Sequence, residues 1–401
     1  MKRRILVPLT LIISLGTQGL AQTETWTQKA DFTGAARRSP ASFAIADKGY
    51  VVAGLKDFNT AVKDAYVYDQ LGNSWSQITD FPGTARYSTG HFTIGNRAWV
   101  GVGAAGSSVY DDVWTLDGSD NSWSGSAAFT SAFPRVAPAS FVVGENGYWC
   151  GGKNGSYSSE CWAYDTTSNT WTQKANFGGV ARKGAFAFVV NGLAYVGTGY
   201  NGTYLADIWV YDPVANSWTQ VGDFSGGARL GHVSFVLNGE AYVGAGLGTG
   251  TNYYKDMWKY TPVTDEWNQV MDFGGSSRQG AAAFVINGKA YVGLGNDGVN
   301  DLTDLWEYND GTVGDSPTGA ELCSGSVWPI PTIGILNLES KCKQNLRAIV
   351  YITNMLGEEM GLYQLNNDNL LQIDVSHLSK GMYILLISQG AETWRKRIVK
   401  M

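Results

Sequence analysis

One arrangement of residues recurs six times along most of this 401-residue chain, and it constrains the fold more than any other feature. An arginine stands at Arg38, Arg86, Arg135, Arg182, Arg229 and Arg278, at intervals of 47 to 49 residues. Behind each comes an apolar run holding Phe43, Phe92, Phe141, Phe188, Phe235 or Phe284. A turn follows, clearest as Asn191-Gly192, Asn238-Gly239 and Asn287-Gly288, then an aromatic-rich stretch ending in glycines. An acidic residue two places before an aromatic comes next, at Asp64, Asp112, Glu160, Asp207, Asp256 and Asp304. Full units close on Trp75, Trp123, Trp171, Trp218 and Trp267.

Each unit reads as four short strands. Asn-Gly between apolar runs is a strong hairpin signal, because both turn residues must take positive φ. Alternation in Asp207-Ile208-Trp209-Val210-Tyr211 is strand periodicity. With 51 glycines and only 16% charged residues, the composition argues against helices and for a turn-rich, all-β chain. One four-stranded sheet cannot bury its own faces, whereas several arranged radially can.

A period near 50 residues with glycines, a tyrosine and a tryptophan resembles the kelch repeat over residues 22–309, which implies a six-bladed kelch-type β-propeller. One detail departs from the family: Gly-x-Gly usually replaces its Gly-Gly, which survives only at Gly151-Gly152. The sixth unit stops at Glu307-Tyr308-Asn309 without a tryptophan strand. A spare copy stands at the front, where Trp26-Thr27-Gln28-Lys29-Ala30-Asp31-Phe32 nearly repeats Trp171 to Phe177. The N-terminal strand is therefore expected to complete the last blade.

Residues 310–326 are rich in Gly, Ser, Thr and Pro and read as a linker. Beyond it, residues 327–401 carry a different pattern. Val327-Trp328-Pro329-Ile330-Pro331, Asn354-Met355-Leu356-Gly357, Ile373-Asp374-Val375-Ser376 with Gly381-Met382-Tyr383, and the terminal Lys396-Arg397-Ile398-Val399-Lys400 resemble the type A sorting domain of the type IX secretion system. That resemblance implies a small Ig-like β-sandwich tail, engagement with the type IX machinery, and delivery to the outer cell surface or beyond. Residues 1–21 agree with export. Lys2, Arg3 and Arg4 precede a short apolar run and the small residues before Gln22, as in a signal peptide. No later stretch is long and apolar enough to read as a transmembrane segment. Four cysteines form two local pairs, Cys150 with Cys161 and Cys323 with Cys342, and an oxidising compartment permits both to be disulfides.

Chemistry is less explicit. A formal charge of −6 argues against nucleic acid as a partner. No catalytic motif, metal motif or cofactor-binding signature stands out among the three histidines, His91, His232 and His377, or elsewhere. The loops between second and third strands are long and offer Tyr200, Tyr204, Tyr253 and Tyr254 to a ligand. The six arginines open the innermost strands on the same face. They are candidates for an anion-binding ring, or for a framework role in which each is paired with its own blade's acid. Repetition favours the framework role. The functional expectation is a secreted or surface binding protein for a glycan, an acidic one above all, or for a surface protein. The alternatives are a carbohydrate-active enzyme similar to kelch sialic acid epimerases, which would need a base such as Asp64 or Glu160, and a scaffold without a ligand.

Overall fold

The structure, a computed structural model, describes residues 24–126, 129, 135–261 and 266–311, together with 325–328, 332, 334–340, 348–354, 359–365, 370–389 and 392–400 in the C-terminal region. The leader at 1–21, Cys323, Cys342 and all but the ends of the 310–326 linker lie outside these residues.

Six four-stranded antiparallel sheets form the blades of a propeller. The innermost strands are Ala41–Ile45, Gly90–Ile94, Ala139–Val143, Phe186–Val190, Val233–Leu237 and Ala282–Ile286. Each alternates buried and half-buried residues, so the phenylalanine at its centre packs inward between blades. The Asn-Gly turns take the expected left-handed pair of conformations, with φ of 55° and 78° at Asn191 and Gly192. Outer-strand tryptophans tie neighbouring blades together. Trp75 Nε1 donates to the carbonyl of Ala30 and Trp218 Nε1 to that of Ala175. Among the described residues the only helical element is a three-residue turn, Thr249–Thr251.

Closure of the ring is made by the N-terminus. Strand Thr25–Lys29 pairs antiparallel with Leu305–Asn309, which places it outermost in the sixth sheet. Trp26 packs on Tyr308 and Phe273, with centroids 4.8 and 5.0 Å apart. Lys29 reaches the nearly buried Glu307 at 3.1 Å. The edge that blade six would otherwise expose is thereby covered.

A second set of bonds welds the blades near the axis. The amide of Gly54 donates to the carbonyl of Arg86, Gly103 to Arg135, Gly152 to Arg182, Gly199 to Arg229, Gly246 to Arg278 and Gly295 to Arg37. These glycines need φ between 94° and 118°, a region L side chains avoid. The residue before each is also left-handed, and only in blade three is it glycine. Ala53, Val102, Thr198, Ala245 and Leu294 stand where the family's first glycine would be, with φ from 48° to 60°. The departure read in the sequence is therefore a substitution at one strained position, and the backbone geometry is kept.

In the C-terminal region two sheets, of three and four strands, share one core. Leu336, Leu338 and Ile373 come from one sheet, and Val350, Ile352, Leu385 and Ile398 from the other. Among the described residues, no helix is long and apolar enough to cross a membrane.

Candidate functional site

Burial of a charged group is costly unless it is paired and hydrogen-bonded, and the repeated arginine is paired with an acid in every blade, although Arg229 Nε finds no partner among the described residues. Arg86, Arg135, Arg182, Arg229 and Arg278 are at most 2% exposed. Arg182 shows the pattern. Its Nη1 and Nη2 donate to Asp207 Oδ1 and Oδ2 at 2.6 and 2.7 Å, and Nη1 also donates to the carbonyl of Thr198 at 2.9 Å. The left-handed residue before the glycine exists to aim that carbonyl at the guanidinium. Trp209 Nε1 donates to the same carboxylate at 2.8 Å, which accounts for the acid–x–Trp pattern. The guanidinium lies 4.8 Å from the ring of Phe177, and equivalent phenylalanines sit at 4.7 to 5.2 Å in the other blades.

Two sequence expectations are corrected by this geometry. Arg38 is not the framework arginine of blade one: Arg37 is, fully buried and bound to Asp64 at 2.6 and 2.7 Å. Arg38 points instead to Asp301 at 2.9 Å and to the carbonyl of Phe58 at 3.0 Å. Secondly, Arg86, Arg135, Arg182, Arg229 and Arg278 do not form an open anion-binding ring, because each is buried and already neutralised by the acid of its own blade. Tyr254 likewise turns away from the loop tyrosines and stacks over Arg229, 4.0 Å from its guanidinium carbon. Tyr110 does the same to Arg86 at 4.4 Å.

The acids respond to this pairing. Burial pushes the carboxyls of Asp64, Asp112 and Asp207 up, but hydrogen bonds and charge from Arg37, Arg86 and Arg182 outweigh it and hold them below the ordinary value of 3.8. His91 and His232 are half-buried residues whose rings are cut off from solvent, which takes them down to about 4 and about 3, with Arg229 adding to the effect on His232. His232 Nε2 instead shares a hydrogen bond with Thr198 Oγ1 at 2.6 Å. Both sets are depressed in the folded state, so the unfolded chain binds more protons. The histidine contribution is complete above about pH 6.5 and is lost as pH falls toward 4 and 3; the aspartate contribution is lost below 3.8. Urea unfolding should therefore give a stability that declines from pH 6.5 to 4 and drops more steeply below that. A flat profile between pH 6.5 and 4.5 would contradict this assignment.

The residue after each framework arginine is half-buried rather than buried: Arg38, Tyr87, Val136, Lys183, Leu230 and Gln279. Each is bridged to the residue after a glycine of its own blade, as in Lys183 with Tyr200 and Val136 with Lys153. Below them the backbones of Ser39, Ser88, Ala137, Gly184, Gly231 and Gly280 run edge to edge around the axis. The amide of Ser39 donates to the carbonyl of Gly280, Ser88 to Ser39, Ala137 to Ser88, Gly184 to Ala137 and Gly280 to Gly231, at 2.7 to 2.9 Å. The mouth is thus a bowl with a backbone floor.

Its wall is asymmetric. Lys153 and Lys183 lie side by side where blades three and four meet, because the amide of Gly152 is bonded to the carbonyl of Arg182. Neither lysine has a carboxylate partner among the described residues. Burial and the charge of Lys153 lower the Lys183 amine below its ordinary value. An arc of tyrosines surrounds them. Lys153 Nζ lies 5.0 Å from the ring centroid of Tyr157; Tyr157 and Tyr200 are 6.3 Å apart, Tyr200 and Tyr204 5.1 Å. Tyr253 continues the arc from blade five and packs on Gly298. The tyrosines Tyr200, Tyr204 and Tyr253 were legible in the sequence. The lysines were missed, and the signal that finds them is variation at a fixed place in an otherwise repeated frame.

Cys150 and Cys161 face each other across the second and third strands of blade three and are disulfide-bonded. Among the described residues, no group of three or more His, Cys, Asp or Glu side chains could hold a metal ion.

Comparison with known proteins agrees with the architecture. Residues 20–182 match the family model described as the KLHDC2/KLHL20/DRC7 Kelch-repeats domain, and residues 181–225 match the Kelch motif. Residues 326–401 match the secretion system C-terminal sorting domain. No curated protein sequence matches the chain. A solved structure titled "Structure of YjhT" is similar with a TM-score of 0.58 at 16% identity, over 68% of this chain and 95% of that one, a likeness of fold alone. The chain is a six-bladed kelch-repeat propeller protein with a C-terminal secretion-system sorting domain, which marks it for type IX export to the cell surface or outside.

Proposed function

We propose that this exported propeller is a binding protein whose mouth takes an anionic ligand, an acidic glycan by preference. The observation that carries this reading is the pair Lys153 and Lys183, held together on the bowl wall without a neutralising carboxylate among the described residues. An anionic group placed between them relieves their mutual repulsion and gains charge-assisted hydrogen bonds. The tyrosine arc supplies flat faces and hydroxyls to the rest of a sugar. Because the molecule is acidic overall, attraction is local to the bowl and does not steer ligands from afar. The enzymatic alternative has less support: Asp64 is consumed by Arg37, and Glu160 holds Arg135.

The test is binding of secreted protein to uronate- and sialate-containing oligosaccharides. Lys153→Ala and Lys183→Ala should each weaken binding by about tenfold or more, the scale of one charged hydrogen bond. Affinity should also fall as salt rises. Binding that ignores both substitutions would sink the proposal.

A further inference from the structure

Besides Gly151, blade three differs from the common frame at Glu160, at Asn176 and in its disulfide; Glu160 and Asn176 line one cleft beside the mouth, and the disulfide closes the base of the loop that borders it. The acid is Glu160 where the other five blades have aspartate. Each aspartate gives both oxygens to its arginine, whereas Glu160 uses Oε2 alone, accepting from Arg135 Nη2 at 2.8 Å and Trp162 Nε1 at 3.2 Å. Glu160 Oε1 accepts no hydrogen bond from any described residue. The second departure is Asn176, which precedes Phe177 where four of the other five corresponding phenylalanines are preceded by aspartate (Asp31, Asp80, Asp223 and Asp272) and Phe129 by Ala128. The third is the Cys150–Cys161 disulfide, which staples the base of the 151–160 loop. Among the described residues no other blade has one.

Between that loop and the connector leading to Arg182 lies a cleft of about 330 Å³. Asn154, Ser156, Tyr157, Ser159, Glu160 and Asn176 line it. The volume is at the small end of ligand pockets. Its chemistry is specific: a carboxylate oxygen to accept from paired hydroxyls, amides and serine hydroxyls that donate and accept, and one aromatic ring. The sole cation in the lining, Arg135, is 1% exposed and already paired. Replacing aspartate by Asn176 removes a negative charge and adds donors, while Glu160 repels an anion.

We infer that this cleft is a second carbohydrate site, adjoining the bowl at Tyr157, which takes one or two sugar rings of a neutral saccharide. Tyr157 stacks on the ring, Glu160 Oε1 and Asn176 grip hydroxyls, and the disulfide holds the loop in place before binding. The two sites adjoin at Tyr157, but the ligands have opposite charge requirements and the gripping groups differ: Lys153 and Lys183 in the bowl, Glu160 and Asn176 here.

The probes are cello-, malto-, laminari- and chito-oligosaccharides, titrated into the intact secreted protein. Glu160→Asp restores the acid of the other blades, so it should keep the melting temperature yet weaken binding at least tenfold. Asn176→Asp should do the same, and Lys183→Ala should leave neutral-sugar affinity unchanged. If the protein binds none of these probes, or Glu160→Asp and Asn176→Asp bind as tightly as the parent, the site is overturned. Binding lost in Lys183→Ala but kept in Glu160→Asp would equally overturn it, by moving the sugar to the bowl.

Discussion

Replacing Arg182 by alanine should lower the free energy of unfolding by about 3–5 kcal/mol, the usual consequence of stripping one partner from a buried ion pair. Four acceptors lose a donor at once: both oxygens of Asp207 and the carbonyls of Thr198 and Val180. Phe177 loses the cation that covers its ring, and a cavity opens where a side chain 2% exposed had been. Lysine should not rescue the loss, because a single ammonium cannot match the fork that spans carboxylate and carbonyl. Urea unfolding monitored by tryptophan fluorescence measures the effect. A cost below about 1 kcal/mol would be that of an ordinary surface substitution and would contradict the framework assignment.

Removing Thr25–Lys29 should have a still broader effect. The deletion strips the outer strand from blade six, exposes the edge of Leu305–Asn309 and uncovers Tyr308 and Phe273 where Trp26 had packed. Glu307, largely buried, also loses one of its two lysines. Exposed edges template association, so the truncated protein should form higher oligomers or aggregates. Its melting temperature should fall by about 10 °C or more, since a few kcal/mol is worth several degrees at this size. A monomer that melts at the parent temperature would show that the ring closes without this strand.

The sequence made the propeller legible because each blade repeats the same solution to the same packing problem. Asn-Gly turns, the acid–x–Trp element and the spare tryptophan strand at Trp26 all mark positions where geometry admits few residues. Misplacing the blade-one arginine had a simple cause. Arg37 and Arg38 are adjacent, and the interval between arginines cannot separate them. The distance from the preceding phenylalanine can: Arg37 follows Phe32 by five residues, as Arg86 follows Phe81 and Arg182 follows Phe177. Tyr253 and Tyr254 posed a similar problem. Neighbours in an extended loop point opposite ways, and only the structure distinguishes the tyrosine in the arc from the one over Arg229. The candidate sites were less legible for a deeper reason. Repetition reports what every blade needs, and a ligand site is built from what one or two blades do differently. Lys153, Lys183, Glu160 and Asn176 each occupy a repeated place with an unrepeated residue.

That division between frame and site is tested most directly on two consecutive residues, Arg182 and Lys183. Unfolding free energy and affinity for acidic oligosaccharides should be measured together on Arg182→Ala and Lys183→Ala. The account predicts that Arg182→Ala loses several kcal/mol of stability, while Lys183→Ala unfolds within about 1 kcal/mol of the parent and loses tenfold or more in affinity. A stable Arg182→Ala, or a Lys183→Ala that binds acidic sugars as the parent does, would contradict it.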